Sequence, residues 1–418
     1  MVKFHYNRIN QYRKMRRVTR YILRFVFFYL RITGLMPFSY NPKTRRVRTS
    51  RAITIYSIFA NLLLFALVPL ILFPYHQSTM IGNAQYINQL LYSVTLFVRS
   101  GAVVISFLFN WHRRCEFISV IRTFNRLHRQ YFSRLKLSQE KQQQFENSII
   151  SKFIWISLTE FGSWGLTMQV YMGKGDKSDV VGMASICVLT SVLNLVVNEY
   201  YFGVLNVNLG FTLINDELLR IMHAARSASK NWKRYGHAGV YITRCCQLSD
   251  DIDELAIAHY KLRKLALRLN RMFNTQGACS ILNMYLNNVA TFYTIYKFIQ
   301  FKTANLPLDR WGVVLLAIIL CSYYADLHNF LKNMMNMLEL YTKGAFIIRM
   351  LMPLQCMDIR LERSIKSFCE QIVNIPLQYN MMGMTRLDKP MIFAILSSTF
   401  SNAILIMQYD IKYSRIIK

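Results

Sequence analysis

The chain has 418 residues, is 53% hydrophobic and carries a formal charge of +30. That pairing leaves a membrane protein with basic loops or a nucleic-acid binder. Nucleic-acid proteins gather their charge on one soluble face. Here basic segments alternate with long apolar runs, so no nucleic-acid partner is predicted.

Residues 1–51 hold fourteen Lys or Arg and no acidic residue. The apolar piece from Tyr21 to Leu30 is broken by Arg24 and followed by Arg31, with no small-residue cleavage site, unlike a signal peptide. It is predicted to be a helix along the inner membrane surface, its basic residues near anionic lipid. Gly34-Leu35-Met36-Pro37-Phe38 ends it.

Seven apolar spans follow, at 52–73, 85–109, 147–171, 180–212, 276–300, 312–330 and 391–409. A bilayer-crossing helix needs roughly 20 residues. The predicted fold class is therefore an all-α membrane protein of seven transmembrane helices. Segments 1–51, 110–146, 213–275 and 331–390 carry 14, 8, 11 and 8 Lys or Arg. Segments 74–84, 172–179, 301–311 and 410–418 carry 0, 2, 2 and 3. The positive-inside rule puts the N-terminus in the cytoplasm and the C-terminus outside. This is the reverse of a G-protein-coupled receptor.

The inner segments have helical patterns of their own. Leu248, Ile252, Leu255, His259, Leu262, Ala266, Leu269 and Phe273 follow steps of four and three, with Lys261, Arg263, Lys264 and Arg268 on other faces. Ser249, Asp250 and Asp251 supply N-cap candidates. Span six continues through Leu331, Met335 and Leu338, and residues 358–381 repeat the pattern through Ile359, Ile365, Phe368 and Ile372. Three apolar stripes call for mutual burial, so a cytosolic helical bundle is predicted.

Enzyme signals fail. Gly173-Lys174-Gly175-Asp176-Lys177-Ser178 lacks the spacing of a phosphate loop and falls between two spans. There is no HExxH and no CxxC, so neither a metal nor another cofactor is predicted. The eight cysteines form no disulfide framework; Cys245-Cys246 is either a pair of free thiols or a palmitoylation site.

Charges inside spans are costly and should pair or face water. Arg99, Glu160 and Glu199 are such residues, read as a buried ion pair or as ligand-response elements. Aromatic residues gather toward the outer half: Tyr86, Tyr92, Trp164, Tyr171, Tyr293, Tyr296 and Trp311, with Gln89 beside them. They form either an interfacial belt or an apolar pocket with polar handles.

The last span, Met391 to Tyr409, has no charge but a polar centre: Ser397, Ser398, Thr399, Ser401 and Asn402. Ser398, Ser401, Leu405 and Gln408 share one face at helical spacing. That face serves helix packing or lines a pore or ligand path. The run Ser401-Asn402, five apolar residues, Gln408-Tyr409 resembles the closing motif of insect gustatory receptors, Thr-Tyr, five apolar residues, Gln-Phe. Gly383, Leu387-Asp388-Lys389 and the Gly34 to Phe38 run are similar to that family too.

The resemblance implies a tetrameric, ligand-gated, non-selective cation channel with inverted topology. Each subunit would give its last helix to a central pore. The residues assigned to it are Ser398, Ser401, Leu405, Gln408, Tyr409 and Asp410. The ligand would be a small-molecule tastant, bitter or another contact cue, bound in the outer halves of spans two to six. Residues 1–51 would be the basic cytosolic segment, 52–330 the ligand-binding bundle, 331–390 the cytosolic anchor and 391–418 the pore helix and outer tail. Partners would be membrane lipid and like or related receptor subunits, at the plasma membrane of a sensory neuron dendrite. The alternatives are a G-protein-coupled receptor and a transporter, although neither repeat symmetry nor broken helices appear.

Overall fold

The computed structural model describes residues 16–36, 38–41, 46–77, 86–135, 137–172, 177–230, 238–301, 310–352, 358–378, 380–381, 385–386 and 389–417. Gly383, Leu387, Asp388 and the Gly173 to Asp176 turn lie outside them. Helices make up nearly all of the described chain: α1 (Arg17–Ile32), α2 (Arg51–Gln77), α3 (Tyr86–His112), α4 (Arg114–Gln130), α5 (Gln139–Met172), α6 (Lys177–Lys230), α7 (Ala238–Phe301), α8 (Arg310–Leu351), α9 (Ile359–Asn374) and α10 (Lys389–Ile417). A 3-10 turn spans Phe132–Arg134. Two minimal antiparallel hairpins complete it. Strands β1 (Ser39–Asn41) and β2 (Arg46–Arg48) set Tyr40 opposite Val47, and β3 (Asn380–Met381) and β4 (Thr385–Arg386) set Met381 opposite Thr385.

The seven predicted spans fall, in order, inside α2, α3, α5, α6, α7, α8 and α10, apart from residue 85. Helices α6, α7 and α8 have 54, 64 and 42 residues. At about 1.5 Å per residue they run for roughly 80, 95 and 65 Å. A hydrocarbon core is about 30 Å thick, so all three continue well beyond it. Among the described residues, Ser93–His112, Ala184–Lys230 and Trp311–Leu351 are long and apolar enough on their own to cross a membrane; Arg51–Ala66 is apolar but shorter. Polar residues dilute the spans in α5 and α7, and polar residues of these helices and of α10 face their neighbours. Lys152 in α5, Asn288 in α7 and Thr399 in α10 are all buried. Outward, α3, α5 and α10 present Phe97, Phe161 and Phe393, each about three-quarters exposed, as suits a lipid-facing surface.

Helices α6 and α7 are the spine, and α8 packs along α5 and α6. Every member of the α7 stripe from Leu248 to Phe273 is buried. Its partners lie within the same chain, on α6, α8 and α9 and, at Phe273, on α4 through Phe117. His259 sits in an aromatic box, its ring 5.2 Å from Phe211, 4.8 Å from Tyr341 and 5.4 Å from Phe368. Close packing needs small residues here. A Cβ on Gly210 of α6 would come within 2.8 Å of Leu262 Cδ2.

Two expectations are corrected. Ser249 does not start a helix, because α7 begins at Ala238 and runs through it. The apolar register continues across 249–251, and Ser249 Oγ instead bonds Ser364 Oγ at 2.8 Å while Asp250 pairs with Arg360. Ile359 is exposed. The buried face of α9 is Leu361, Ile365, Phe368 and Ile372, and the Asp358 side chain caps the helix by accepting from the Arg360 N–H.

Helix α1 buries Thr19, Ile22, Val26 and Leu30 and presents Arg17, Tyr21, Arg24 and Phe28 outward. Gly34 then turns the chain with φ +71°, and a Cβ there would meet the Ser57 carbonyl oxygen at 2.9 Å. The turn drives Leu35 and Phe38 into the core, where Asn110 Nδ2 donates to the Leu35 carbonyl at 2.9 Å.

Burial, with the charge of Arg263, lowers the His259 pKa from 6.5 to about 4. Between those values the unfolded chain binds more protons than the folded one. Stability is therefore full above pH 6.5 and falls as the pH drops toward about 4. Melting of the detergent-solubilised protein should show that fall, and His259→Phe should flatten it. Leu262→Asp, charging a fully buried position, should cost about 4 kcal/mol, with a matching fall in melting temperature. Lys264→Ala, on the exposed face, should melt like wild type.

Candidate functional site

The site is built where α10 leans on α7 and α8. Thr399, Ala403 and Asp410 of α10 are buried against these helices. Ser401, Leu405, Gln408 and Tyr409 point away from them, Leu405 and Tyr409 being 55% and 71% exposed. Steps of four and three from 401 keep this open face continuous over two turns. Ile404, at 50%, borders it.

Two residues assigned to that face lie elsewhere. The Ser398 hydroxyl is 3.0 Å from the Tyr285 hydroxyl on α7, and Asn402 Nδ2 donates to that same hydroxyl at 2.5 Å. Ser398 thus belongs to a polar knot between α7 and α10. Asp410 pairs with Lys297 of α7, Nζ to Oδ2 2.5 Å, with side chains 3% and 8% exposed. It is not a free carboxylate at an outer mouth. The geometry was readable: Asp410 is seven residues from Ala403, two helical turns along the buried face.

Arg99, Glu160 and Glu199 do not form the expected pair; no ion pair joins them among the described residues. Arg99 donates to Asn287 Oδ1 on α7. Glu160 accepts from the Ser191 hydroxyl and, at 2.8 Å, from Asn194 Nδ2 on α6. Glu199 is half-buried, and its buried Oε1 has no hydrogen-bond partner among the described residues. Among the described residues the buried pairs are Lys297 with Asp410, just past the last span, and Lys152 of α5 with Asp326 of α8. Lys152 is fully buried, reaches both Asp326 oxygens at 2.8 Å and lies 5.1 Å from the Tyr201 ring centroid. The rule that singles out Arg99 applies equally to Lys152, Lys297 and Asp326 in spans three, five and six.

Of the aromatic candidates, Tyr293 and Tyr296 come together on α7, rings 6.3 Å apart, with Tyr293 fully buried. Trp164 and Trp311 face outward, Trp311 at 73% exposure, as belt residues do. Tyr86, Gln89, Tyr92 and Tyr171 lie in helices, but their side chains are outside the described residues. A cavity of about 50 Å³ lies deeper, between α6, α7 and α8, lined among others by Asn194, Asn283, Tyr323 and Asp326. It has room for a few water molecules. Among the described residues, no group of three His, Cys, Asp or Glu is placed to hold a metal ion.

Long helices with apolar outer faces and internally paired charges define a multi-pass helical membrane protein. The chain belongs to the chemosensory receptor family: the family model described as 7tm chemosensory receptor matches residues 23–413. It is similar to two Drosophila melanogaster proteins. "Putative gustatory receptor 59d" is 25% identical over 413 residues, covering 93% of this chain and 97% of the relative. "Putative gustatory receptor 36c" is 24% identical over 403 residues, covering 94% and 98%. The fold is similar to that of the insect olfactory receptor OR5 from Machilis hrabei in complex with eugenol, with TM-score 0.56, 14% identity, and 93% and 98% of the two chains covered. The family is one of chemosensory receptors, not of enzymes.

Breaking a buried pair from one side leaves a bare charge, which costs about 3–5 kcal/mol. Asp326→Asn should therefore lose most cell-surface expression. Lys152→Met combined with Asp326→Leu should recover it, as measured by surface biotinylation.

Proposed function

We propose that the protein is a gustatory chemoreceptor of the plasma membrane of a sensory neuron dendrite. In this reading it works as a ligand-gated, non-selective cation channel for a bitter or other contact cue. The observation that carries it is the open face of α10. A span whose inner side is fastened to α7 and α8 leaves Ser401, Leu405, Gln408 and Tyr409 exposed among the described residues. A single helix cannot enclose a path, whereas copies around a symmetry axis can. Four such faces, from like subunits or from related gustatory receptor subunits, would surround a pore. Leu405 rings would close it by dewetting, and Gln408 and Tyr409 would line its outer part.

The membrane reading supports a cytoplasmic N-terminus, an outer C-terminus and a cytosolic bundle from α6 to α9 that anchors the assembly. The small-molecule tastant would bind among the outer halves of spans two to six, near Tyr293 and Tyr296. The likeness to an olfactory receptor fold favours this reading over a G-protein-coupled receptor or a transporter.

Patch-clamp recording from cells expressing the chain tests the pore face. Leu405→Ala should raise basal current severalfold, and Gln408→Ala should alter permeability ratios. Ala403→Val, on the buried face, should change neither in receptors that reach the surface. Wild-type basal current in Leu405→Ala together with unchanged permeability in Gln408→Ala contradicts the assignment. An N-terminal tag accessible on intact cells contradicts the orientation.

A further inference from the structure

The outer ends of α7 and α10 are joined by a dry ion pair. Lys297 Nζ lies 2.5 Å from Asp410 Oδ2, and neither side chain is more than 8% exposed. Lys297 also sits 5.7 Å from the ring centroid of Tyr293, which is fully buried and neighbours Tyr296. Twelve residues inward, the same two helices are tied by Tyr285 with Ser398 and Asn402. Between the two ties the rings of Phe292 and Phe400 lie 4.7 Å apart. The last turn of α10, which carries Gln408 and Tyr409 on its open side, thus has this charge pair on its closed side.

On stability grounds a buried pair is a poor fastener, because apolar side chains of similar volume serve as well or better. What it adds is a switch-like contact. Held together away from water, the charges attract strongly; once parted they must be hydrated. A dry, joined state and a wet, parted state are both satisfied, and arrangements between them are not. Such a two-position contact suits a gate.

We propose that Lys297–Asp410 is a latch that holds the outer end of α10 in the shut position, and that it parts when the channel opens. The proposal rests on the channel reading above. Both are positioning residues, acting through α10 on Gln408 and Tyr409. Tyr293 makes Lys297 sensitive to its surroundings on α7, so a ligand that displaces the tyrosine pair reaches the latch through one side chain. Asp410 is neutralised while the pore is shut and gains its free charge on opening.

The test is whole-cell recording with current normalised to biotinylated surface receptor, using Lys297→Met, Asp410→Asn, the charge swap Lys297→Asp with Asp410→Lys, and Lys297→Arg. The single neutral variants should raise the ratio of basal to maximal ligand-evoked current about fivefold or more and slow closing after ligand removal. The swap and Lys297→Arg should return both toward wild type. Wild-type ratios in the single variants, or raised ratios that the swap does not correct, overturn the latch. Where a single variant is lost from the surface through its bare buried charge, Lys297→Met combined with Asp410→Leu takes its place with the same expected rise, and a wild-type ratio in that double variant overturns the latch. Wild-type receptor at the surface that passes no current with any ligand overturns the channel reading itself, which separates the two failures.

Discussion

The bilayer supplies no hydrogen bonds, so every polar group inside it must be satisfied by the protein. The helical backbone meets that demand along its length. Side chains must meet it pairwise, and they fix which helix touches which. Lys152 needs Asp326, so α5 and α8 are held face to face. Glu160 accepts from Ser191 and Asn194, which ties α5 to α6. Arg99 and Asn287 join α3 to α7, and Lys297 with Asp410 joins α7 to α10. Apolar packing then fills the space between these joints, much as along the Leu248 to Phe273 stripe.

That constraint sorts what could be read from residues alone. The spans and their helical extensions were legible, because apolar length and period are properties of one segment. The stripe from Leu248 to Phe273 is buried along its whole length. The partners of buried charges were not legible, since pairing depends on helix rotation and on which helices neighbour one another. Arg99, Glu160 and Glu199 share a type of environment but not a joint. Capping residues at 249–251 misled for a related reason: the apolar register of α7 outweighs a local preference for starting a helix. Asp410 lies two helical turns from Ala403 and so shares its buried face. Adjacency to Gln408 and Tyr409 suggested a shared role, while the helical period sets it on the other side.

The last helix brings these themes together. One side of α10 is committed to its own chain through hydroxyl, amide and ion-pair contacts with α7. The other side holds Ser401, Leu405, Gln408 and Tyr409, which stand exposed among the described residues. Small polar residues spaced among apolar ones suit water in one state and close packing in another. Long helices carry α6, α7 and α8 beyond this layer, so α10 and the bundle formed with α9 share α7 as a common rod. Movement of α7 near Tyr293 would be felt at both ends.

The central claim is that the open face of α10 meets water in a conducting assembly and the opposite face does not. Cysteine accessibility measures this directly. Single cysteines at Ser401, Leu405 and Gln408, and at Thr399 and Ala403 as the other face, can be exposed to a charged thiosulfonate reagent during ligand application. The account predicts rapid, ligand-dependent loss of current at 401, 405 and 408 and none at 399 and 403. Equal modification of both sets, or modification of 399 and 403 alone, would contradict it.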